Sequence, residues 1–141
     1  MRSVRAIPTR AFGRRFRSRL EARWAVFFEA RGVKWDYEPE GFRLSCGRWY
    51  LPDFHLPSYR LYVEIKPREV SEPDRVLMAQ FRDEVGTIML LNGPPGDERL
   101  ELFSNNGGIV LEPSGLRGSH QRYRAAVEAA LSARFEHGER P

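Results

Sequence analysis

The sequence contains a single cysteine, Cys46, among 141 residues. One cysteine excludes an internal disulfide framework and a cysteine-rich zinc site, and the three scattered histidines lack zinc-ligand spacing. No apolar run approaches the roughly 20 residues of a membrane-spanning helix, so we expect no membrane partner. The N-terminal segment also lacks the apolar core of a secretory signal, although its Arg-rich, acid-free character leaves a transit peptide as an alternative. These absences favour a protein of a reducing cytoplasm.

Lysine is also scarce, because only Lys34 and Lys66 are lysines among the 23 basic residues. The net charge is only +4 at pH 7, but arginines are concentrated ahead of the first acidic residue. Residues 1–17 therefore form a basic N-terminal arm suited to phosphates or to an acidic partner. A solvated, partly ordered tail is the alternative. The candidate nucleic-acid contacts of this arm are Arg14, Arg15 and Arg17.

The rest of the chain, residues 18–141, has the length and the hydrophobic content, 41% overall, of one domain. Helical spacing of apolar residues predicts helices over 18–31, 72–85 and 119–135. Short β-type runs between turn residues predict strands over 34–38, 42–45, 49–54, 61–66, 87–91, 100–103 and 109–111. This order predicts an α/β fold with a mixed sheet flanked by helices.

The most informative stretch is LPDFHLPSYRLYVEIKP, residues 51–67. Glu64 and Lys66 are two residues apart on a predicted strand, so both side chains lie on one face. Val63 and Ile65 lie on the other face and are predicted to be in the core. Charged groups in so apolar a segment need partners or a function.

Asp53 is predicted to lie opposite Glu64. If residues 57–60 close a hairpin, residues whose numbers add up to 117 face each other, and Asp53 and Glu64 meet that condition. Two facing carboxylates repel and destabilise the sheet. A divalent cation between them would reverse the sign of that interaction, and carboxylate oxygens suit Mg²⁺ or Mn²⁺.

Pro52-Asp53, ten intervening residues and then Glu64-Ile65-Lys66 resemble the PD-(D/E)xK signature of the restriction-endonuclease-like nucleases. With SRLEARW and YEPEGFRL, the chain is similar to small phage and transposase-type endonucleases over residues 16–93. The resemblance implies a restriction-endonuclease-like core, a mixed central sheet flanked by helices in αβββαβ order. It also implies a further acidic residue in the first helix, a place that Glu21 fills, and a location in the host cytoplasm if a phage encodes the protein.

The resemblance further implies residue roles. Asp53 and Glu64 would hold Mg²⁺ or Mn²⁺, with the backbone carbonyl of Ile65 as another ligand. Glu21 would touch the metal directly or through water. The metal would polarise the scissile phosphate and lower the pKa of a bound water. Lys66 would orient or help deprotonate that water and offset negative charge in the transition state, and arginine could not transfer the proton.

Two more residues are candidates for a supporting role around the site. Glu38, in the YEPE stretch, could supply another carboxylate, with an exposed strand end as its alternative. Gln80, in the second predicted helix, resembles a glutamine that some of these nucleases place near the site, with a helix-surface position as its alternative.

Each main site residue also has a purely structural interpretation. Ser18 and Glu21 have the spacing of a capping box, in which Glu21 only satisfies a backbone N–H. Glu64 and Lys66 could form an ion pair on an exposed strand, and Asp53 could be an ordinary turn residue after proline.

The sequence thus predicts a Mg²⁺-dependent endonuclease acting on DNA. The first alternative is a catalytically silent member of the same fold that binds nucleic acid or a protein, and the second is an unrelated interaction module. We expect DNA as the partner, with a homodimer or a targeting protein as further possibilities.

Overall fold

The computed structural model describes residues 7–104 and 120–135. They form nine strands, three α-helices and one 3₁₀ turn, Pro57–Tyr59. The helices are α1 (Arg19–Arg31), α2 (Glu72–Glu84) and α3 (His120–Ser132). The strands are β1 (Thr9–Ala11), β2 (Arg14–Phe16), β3 (Asp36–Tyr37), β4 (Phe42–Arg43), β5 (Trp49–Tyr50), β6 (Phe54–Leu56), β7 (Leu61–Lys66), β8 (Ile88–Asn92) and β9 (Arg99–Phe103).

The central sheet is mixed and has five strands in the order β3-β6-β7-β8-β9. Strands β7 and β8 are parallel and are joined through α2, whereas the other neighbouring pairs are antiparallel. The predicted α/β fold with a mixed sheet is therefore confirmed. Along the chain, α1 is followed by β3, β6 and β7 of this sheet, and then by α2 and β8.

The two faces of the sheet carry two apolar clusters. One cluster joins α1 and α3 to the sheet and contains Trp24, Phe28, Phe54, Val63 and Ile65. The other joins α2 and the β4–β5 hairpin to the opposite face and is made of Leu44, Tyr50, Val70, Met78, Phe81, Ile88 and Leu90. Because side chains alternate along β7, Val63 and Ile65 enter the first cluster, while Glu64 faces the side of α2.

Local sequence signals explain the boundaries of the first two helices. The Ser18 hydroxyl caps α1 by accepting the Glu21 N–H (3.1 Å), and Ser71 caps α2 in the same way through Asp74. Gly32 ends α1 in the left-handed conformation, with φ of 74°, which glycine adopts at little cost. The first two predicted helices are confirmed within one residue.

The strands differ from the sequence prediction in two places. The predicted strand 49–54 is split, since β5 pairs with β4 in a separate two-stranded sheet and β6 begins only at Phe54. Pro52 has no N–H to donate to a ladder, which accounts for the break. The basic arm is also not a free tail over its described part, because β1 and β2 form a hairpin and Phe16 is fully buried in the core.

Parts of other predictions lie outside the described residues. These are the strand over 109–111, the first residue of the helix over 119–135, and the arginines at positions 2 and 5. The other end of that helix is described and was predicted three residues too long, because α3 ends at Ser132. Over the ranges 7–104 and 120–135, no helix is both long and apolar enough to cross a membrane.

Candidate active site

Strand β7 brings Glu64 and Lys66 together. The Lys66 Nζ lies 3.5 Å from Glu64 Oε2, which confirms that the two side chains share a face. Glu64 is only 8% exposed, so the pair is not an ion pair on an exposed strand. Its other carboxylate oxygen, Oε1, accepts a hydrogen bond from the Tyr50 hydroxyl at 2.7 Å.

Asp53 lies just before β6, at the same end of the sheet. The predicted hairpin register is confirmed, because Phe54 pairs with Val63. One residue beyond, the Asp53 N–H donates to the Val63 carbonyl (3.0 Å), and Asp53 Oδ2 accepts the Ile65 N–H (2.7 Å). These bonds fix the Asp53 carboxylate beside β7, so it is not an ordinary exposed turn acid. The role of the Ile65 carbonyl as a metal ligand stays a prediction.

Glu21 reaches the same region from the first turn of α1. Its backbone N–H is capped by Ser18, but its carboxylate does not complete a capping box: Oε1 accepts a hydrogen bond from the Tyr37 hydroxyl at 2.6 Å. The side chain is 9% exposed. The side chain of Asp53 lies close enough to act on the pKa of the Glu21 carboxyl group, which it lowers. Glu21 thus lies with the other two acids, in the place that the family resemblance implied.

Burial raises the pKa of all three carboxyl groups. For Asp53 the pKa lies well above its ordinary value, first because of desolvation and then because the charges of Glu64 and Glu21 repel its own. Burial likewise raises the pKa of Glu21 and of Glu64, against the hydrogen bonds from Tyr37 and Tyr50. Three mutually repelling acids share the site, and the Lys66 charge favours the ionised forms of Asp53 and Glu64.

Two tyrosines that hold the acids were not among the predicted site residues. Burial raises the pKa of Tyr37 and of Tyr50, so both remain hydroxyl donors. Each tyrosine hydroxyl donates to one oxygen of one glutamate carboxylate, so the second oxygen of that carboxylate can bind a different partner. Both tyrosines stand in the stretches that carry the resemblance, YEPE and YLPD, but no spacing rule shows which carboxylate a tyrosine 14 or 16 residues away will reach.

Glu38, one of the two candidates for a supporting role, lies near Glu21. Its N–H donates to the Asp53 carbonyl oxygen (2.8 Å), and its charge raises the pKa of Glu21. It adopts a positive φ of 48°, which is uncommon for a residue other than glycine. Its carboxylate pairs with Nε of the Arg17 side chain, and the backbone N–H of Arg17 donates to the Tyr37 hydroxyl (2.9 Å). Arg17 therefore belongs to the network around the site.

Other candidates lie elsewhere. The Gln80 amide donates to Ser45 Oγ (3.0 Å) and to Glu84 (2.9 Å), so it supports a different cluster on α2. The Arg14 guanidinium lies 5.3 Å from the centre of the Trp35 ring, and Arg15 is exposed on β2. A residue that was not predicted, Asp74 on the first turn of α2, places its Oδ2 3.9 Å from Lys66 Nζ.

The donor chemistry of the site fits a hard divalent cation. Glu21, Asp53 and Glu64 offer only oxygen atoms, which Mg²⁺ and Mn²⁺ prefer, and their charges exceed the single charge of Lys66. In the part of the chain that the structure describes, however, no group of three or more His, Cys, Asp or Glu side chains is already arranged to hold a metal ion. Cation binding would favour the ionised acids, against the raised pKa values.

No protein-family model matches the chain, and a search of curated proteins gives no significant match. The resemblance to the PD-(D/E)xK nucleases therefore depends on the residues themselves and on their arrangement. That arrangement consists of buried acids from α1, from the residue before β6 and from β7, beside the lysine of β7.

Proposed function

We propose that the protein is a metal-dependent nuclease of the PD-(D/E)xK class, an endonuclease that hydrolyses DNA phosphodiester bonds. The observation that carries the proposal is the meeting of four residues at one end of the sheet. Glu21, Asp53 and Glu64 are held there by hydrogen bonds, and Lys66 lies beside Glu64. These are the residues that the family resemblance assigns to catalysis.

The energetics of the acids support a functional role. Buried carboxylates that repel one another cost folding free energy, and a core with only a structural role gains nothing from them. Strongly perturbed titratable groups are concentrated at functional sites for this reason. The tyrosine hydroxyls and the Ile65 N–H orient the acids without neutralising them.

The roles follow from the chemistry of each side chain. Asp53 and Glu64 would hold Mg²⁺ or Mn²⁺, with Glu21 binding directly or through water and the Ile65 carbonyl as a further ligand. The bound cation would supply Lewis acidity at the scissile phosphate and a water of lowered pKa. Lys66, positioned by Glu64 and by Asp74, would orient that water, accept or share its proton and offset charge in the transition state.

The order of elements supports a restriction-endonuclease-like core. Helix α1, the sheet strands β3, β6 and β7, helix α2 and strand β8 follow one another as αβββαβ. In this order the acid of α1 and the acids of the hairpin come from different segments of the chain. A chance pair of acids on one hairpin would not include the third carboxylate from a helix.

A catalytically silent relative that binds nucleic acid or a protein is the second candidate. It is favoured by one observation, the lack of a preformed metal-holding group among residues 7–104 and 120–135. A silent relative would bind its partner with or without Mg²⁺ and would cleave no substrate.

A cleavage panel tests the proposal. Linear, supercoiled, branched and single-stranded DNA are incubated with Mg²⁺, Mn²⁺ or EDTA, using wild type, Asp53→Ala and Glu64→Ala. We expect metal-dependent cleavage of at least one substrate by wild type and none by either variant. Asp83→Ala, which removes an exposed acid of α2, is the matched control and should cleave like wild type. Full activity in either site variant would refute the assignment.

A further inference from the structure

The β1–β2 hairpin has an unusual turn. Its two central residues, Phe12 and Gly13, have positive φ values of 54° and 72°, and the flanking pair Ala11 and Arg14 closes a two-residue loop. Such a turn prefers Asn-Gly, because asparagine tolerates the left-handed conformation. Phenylalanine is a poor choice for the first position on conformational grounds.

Exposure makes the choice of phenylalanine still less favourable. The Phe12 side chain is 48% exposed, although its ring contacts the edge of Trp35 at 5.6 Å between centroids. A large apolar side chain in an uncommon backbone conformation at the tip of a hairpin is expected where it serves a function.

Phe12 and Trp35 border a cavity of about 600 Å³, which Arg14 and Lys34 also line. The Arg14 guanidinium lies 5.3 Å from the centre of the Trp35 ring. The two acids of the cavity wall contact neighbouring side chains. Glu29 accepts the Trp35 indole N–H (2.9 Å), and Asp36 lies 3.9 Å from His55 Nδ1. The exposed ring at this cavity is that of Phe12, because Arg14, Phe16 and Phe54 pack against Trp35. The Phe12 ring and the cations Arg14 and Lys34 can therefore meet a ligand.

We propose that this cavity binds an unpaired nucleobase of a single-stranded DNA segment. Aromatic side chains stack on bases of any sequence, and neighbouring arginines follow the phosphates. Arg14 and Lys34 line the cavity itself, and the exposed Arg10 and Arg15 add positive charge elsewhere on the same hairpin, which a phosphate backbone requires. A flat apolar patch without these cations would fit a protein partner better.

The cavity lies close to the candidate active site along the chain. Trp35 precedes Tyr37, the donor to Glu21, by two residues, about 7 Å of extended strand. The inference rests on the proposed function and narrows it: the substrate is DNA with unpaired nucleotides next to the cut, such as a single strand or a branched structure.

Phe12→Asn tests the subsite, because it removes the aromatic ring and installs the preferred turn residue. Binding of labelled oligothymidylate and of a blunt duplex is measured by fluorescence anisotropy in EDTA, which prevents cleavage. We expect the variant to melt no lower than wild type and to bind the single strand about 5- to 150-fold more weakly, with little change for the duplex. Phe12→Tyr should retain binding, and Leu131→Ala, which alters an exposed apolar residue of α3, should match wild type.

The outcomes separate this inference from the proposed function. If Phe12→Asn binds the single strand as tightly as wild type does, or loses duplex binding equally, the subsite is refuted even when wild type cleaves DNA. If Phe12→Asn selectively loses single-strand binding, the subsite is supported, and a wild type that then cleaves nothing refutes only the nuclease.

Discussion

Replacing Asp53 with asparagine should stabilise the metal-free protein at neutral pH. Asparagine keeps an oxygen that can accept the Ile65 N–H, but it removes a buried charge that Glu64 and Glu21 repel. Facing side chains of an antiparallel pair are about 5 Å apart, and two unit charges at that distance repel by roughly 3 kcal/mol at an effective dielectric constant of about 20. The hydrogen bond from the Ile65 N–H is weaker when its acceptor is neutral, which costs the variant about 1 kcal/mol of stability. The net gain is therefore about 2 kcal/mol.

The melting temperature in EDTA measures this gain. For a chain of 141 residues, about 2 kcal/mol corresponds to a rise of roughly 6–8 °C. Asp83→Asn, which changes an exposed acid on α2, should stay within about 0.5 kcal/mol of wild type. Adding Mg²⁺ should reverse the order of the two proteins, because only wild type gains stability from binding the ion.

The pH dependence of stability tests whether the charge of Asp53 destabilises the folded protein. Burial, together with the charges of Glu64 and Glu21, raises the pKa of Asp53 above its ordinary value of 3.8. Below pH 3.8 Asp53 is protonated in the folded and in the unfolded state, so its ionisation costs the folded state no stability. The folded state loses stability as the pH rises through the raised pKa of Asp53. The two melting curves should therefore coincide near pH 4 and separate toward pH 7. A variant that melts below wild type at every pH would refute the repulsion.

Three further predictions concern neighbouring residues. Lys66→Arg should bind DNA like wild type but cleave it at least about a hundredfold more slowly, as single-turnover kinetics would measure; equal rates would leave Lys66 only a charge. Tyr50→Phe removes the hydrogen bond that lowers the pKa of Glu64, so the acidic limb of the pH–rate profile should move to higher pH, and an unmoved limb would contradict the contact. Changing Arg10 and Arg15 together to alanine should reduce the slope of log affinity against log salt by about 0.9 for each phosphate that an arginine neutralises; an unchanged slope would mean that these arginines bind no phosphate.

The sequence predicted those features of the site that depend on local periodicity. Alternation along β7 separated Glu64 and Lys66 from the core residues Val63 and Ile65. The turn residues after Leu56 set the register that the hairpin adopts, which brought Asp53 beside Glu64. Both results follow from rules that act over a few residues.

Features that depend on distant contacts were not predictable in the same way. The donors to Glu21 and Glu64 come from Tyr37 and Tyr50 on other strands. Gln80 was a candidate only through the family resemblance, since periodicity predicts a helix but not that the Gln80 side chain meets Ser45 and Glu84. The hairpin within the basic arm was missed because Phe12-Gly13 is not a typical turn sequence.

Calorimetric titration of Mn²⁺ into the protein at neutral pH tests most directly whether the buried acids form a cation site. The experiment is run in two buffers of different ionisation enthalpy, so that it reports proton release as well as binding. We predict saturable binding with release of protons in wild type and in Asp83→Asn, and its loss in Asp53→Asn and in Glu64→Gln. If wild type and Asp53→Asn titrate identically, the acids of this site do not hold a metal ion, and the proposed nuclease mechanism is wrong.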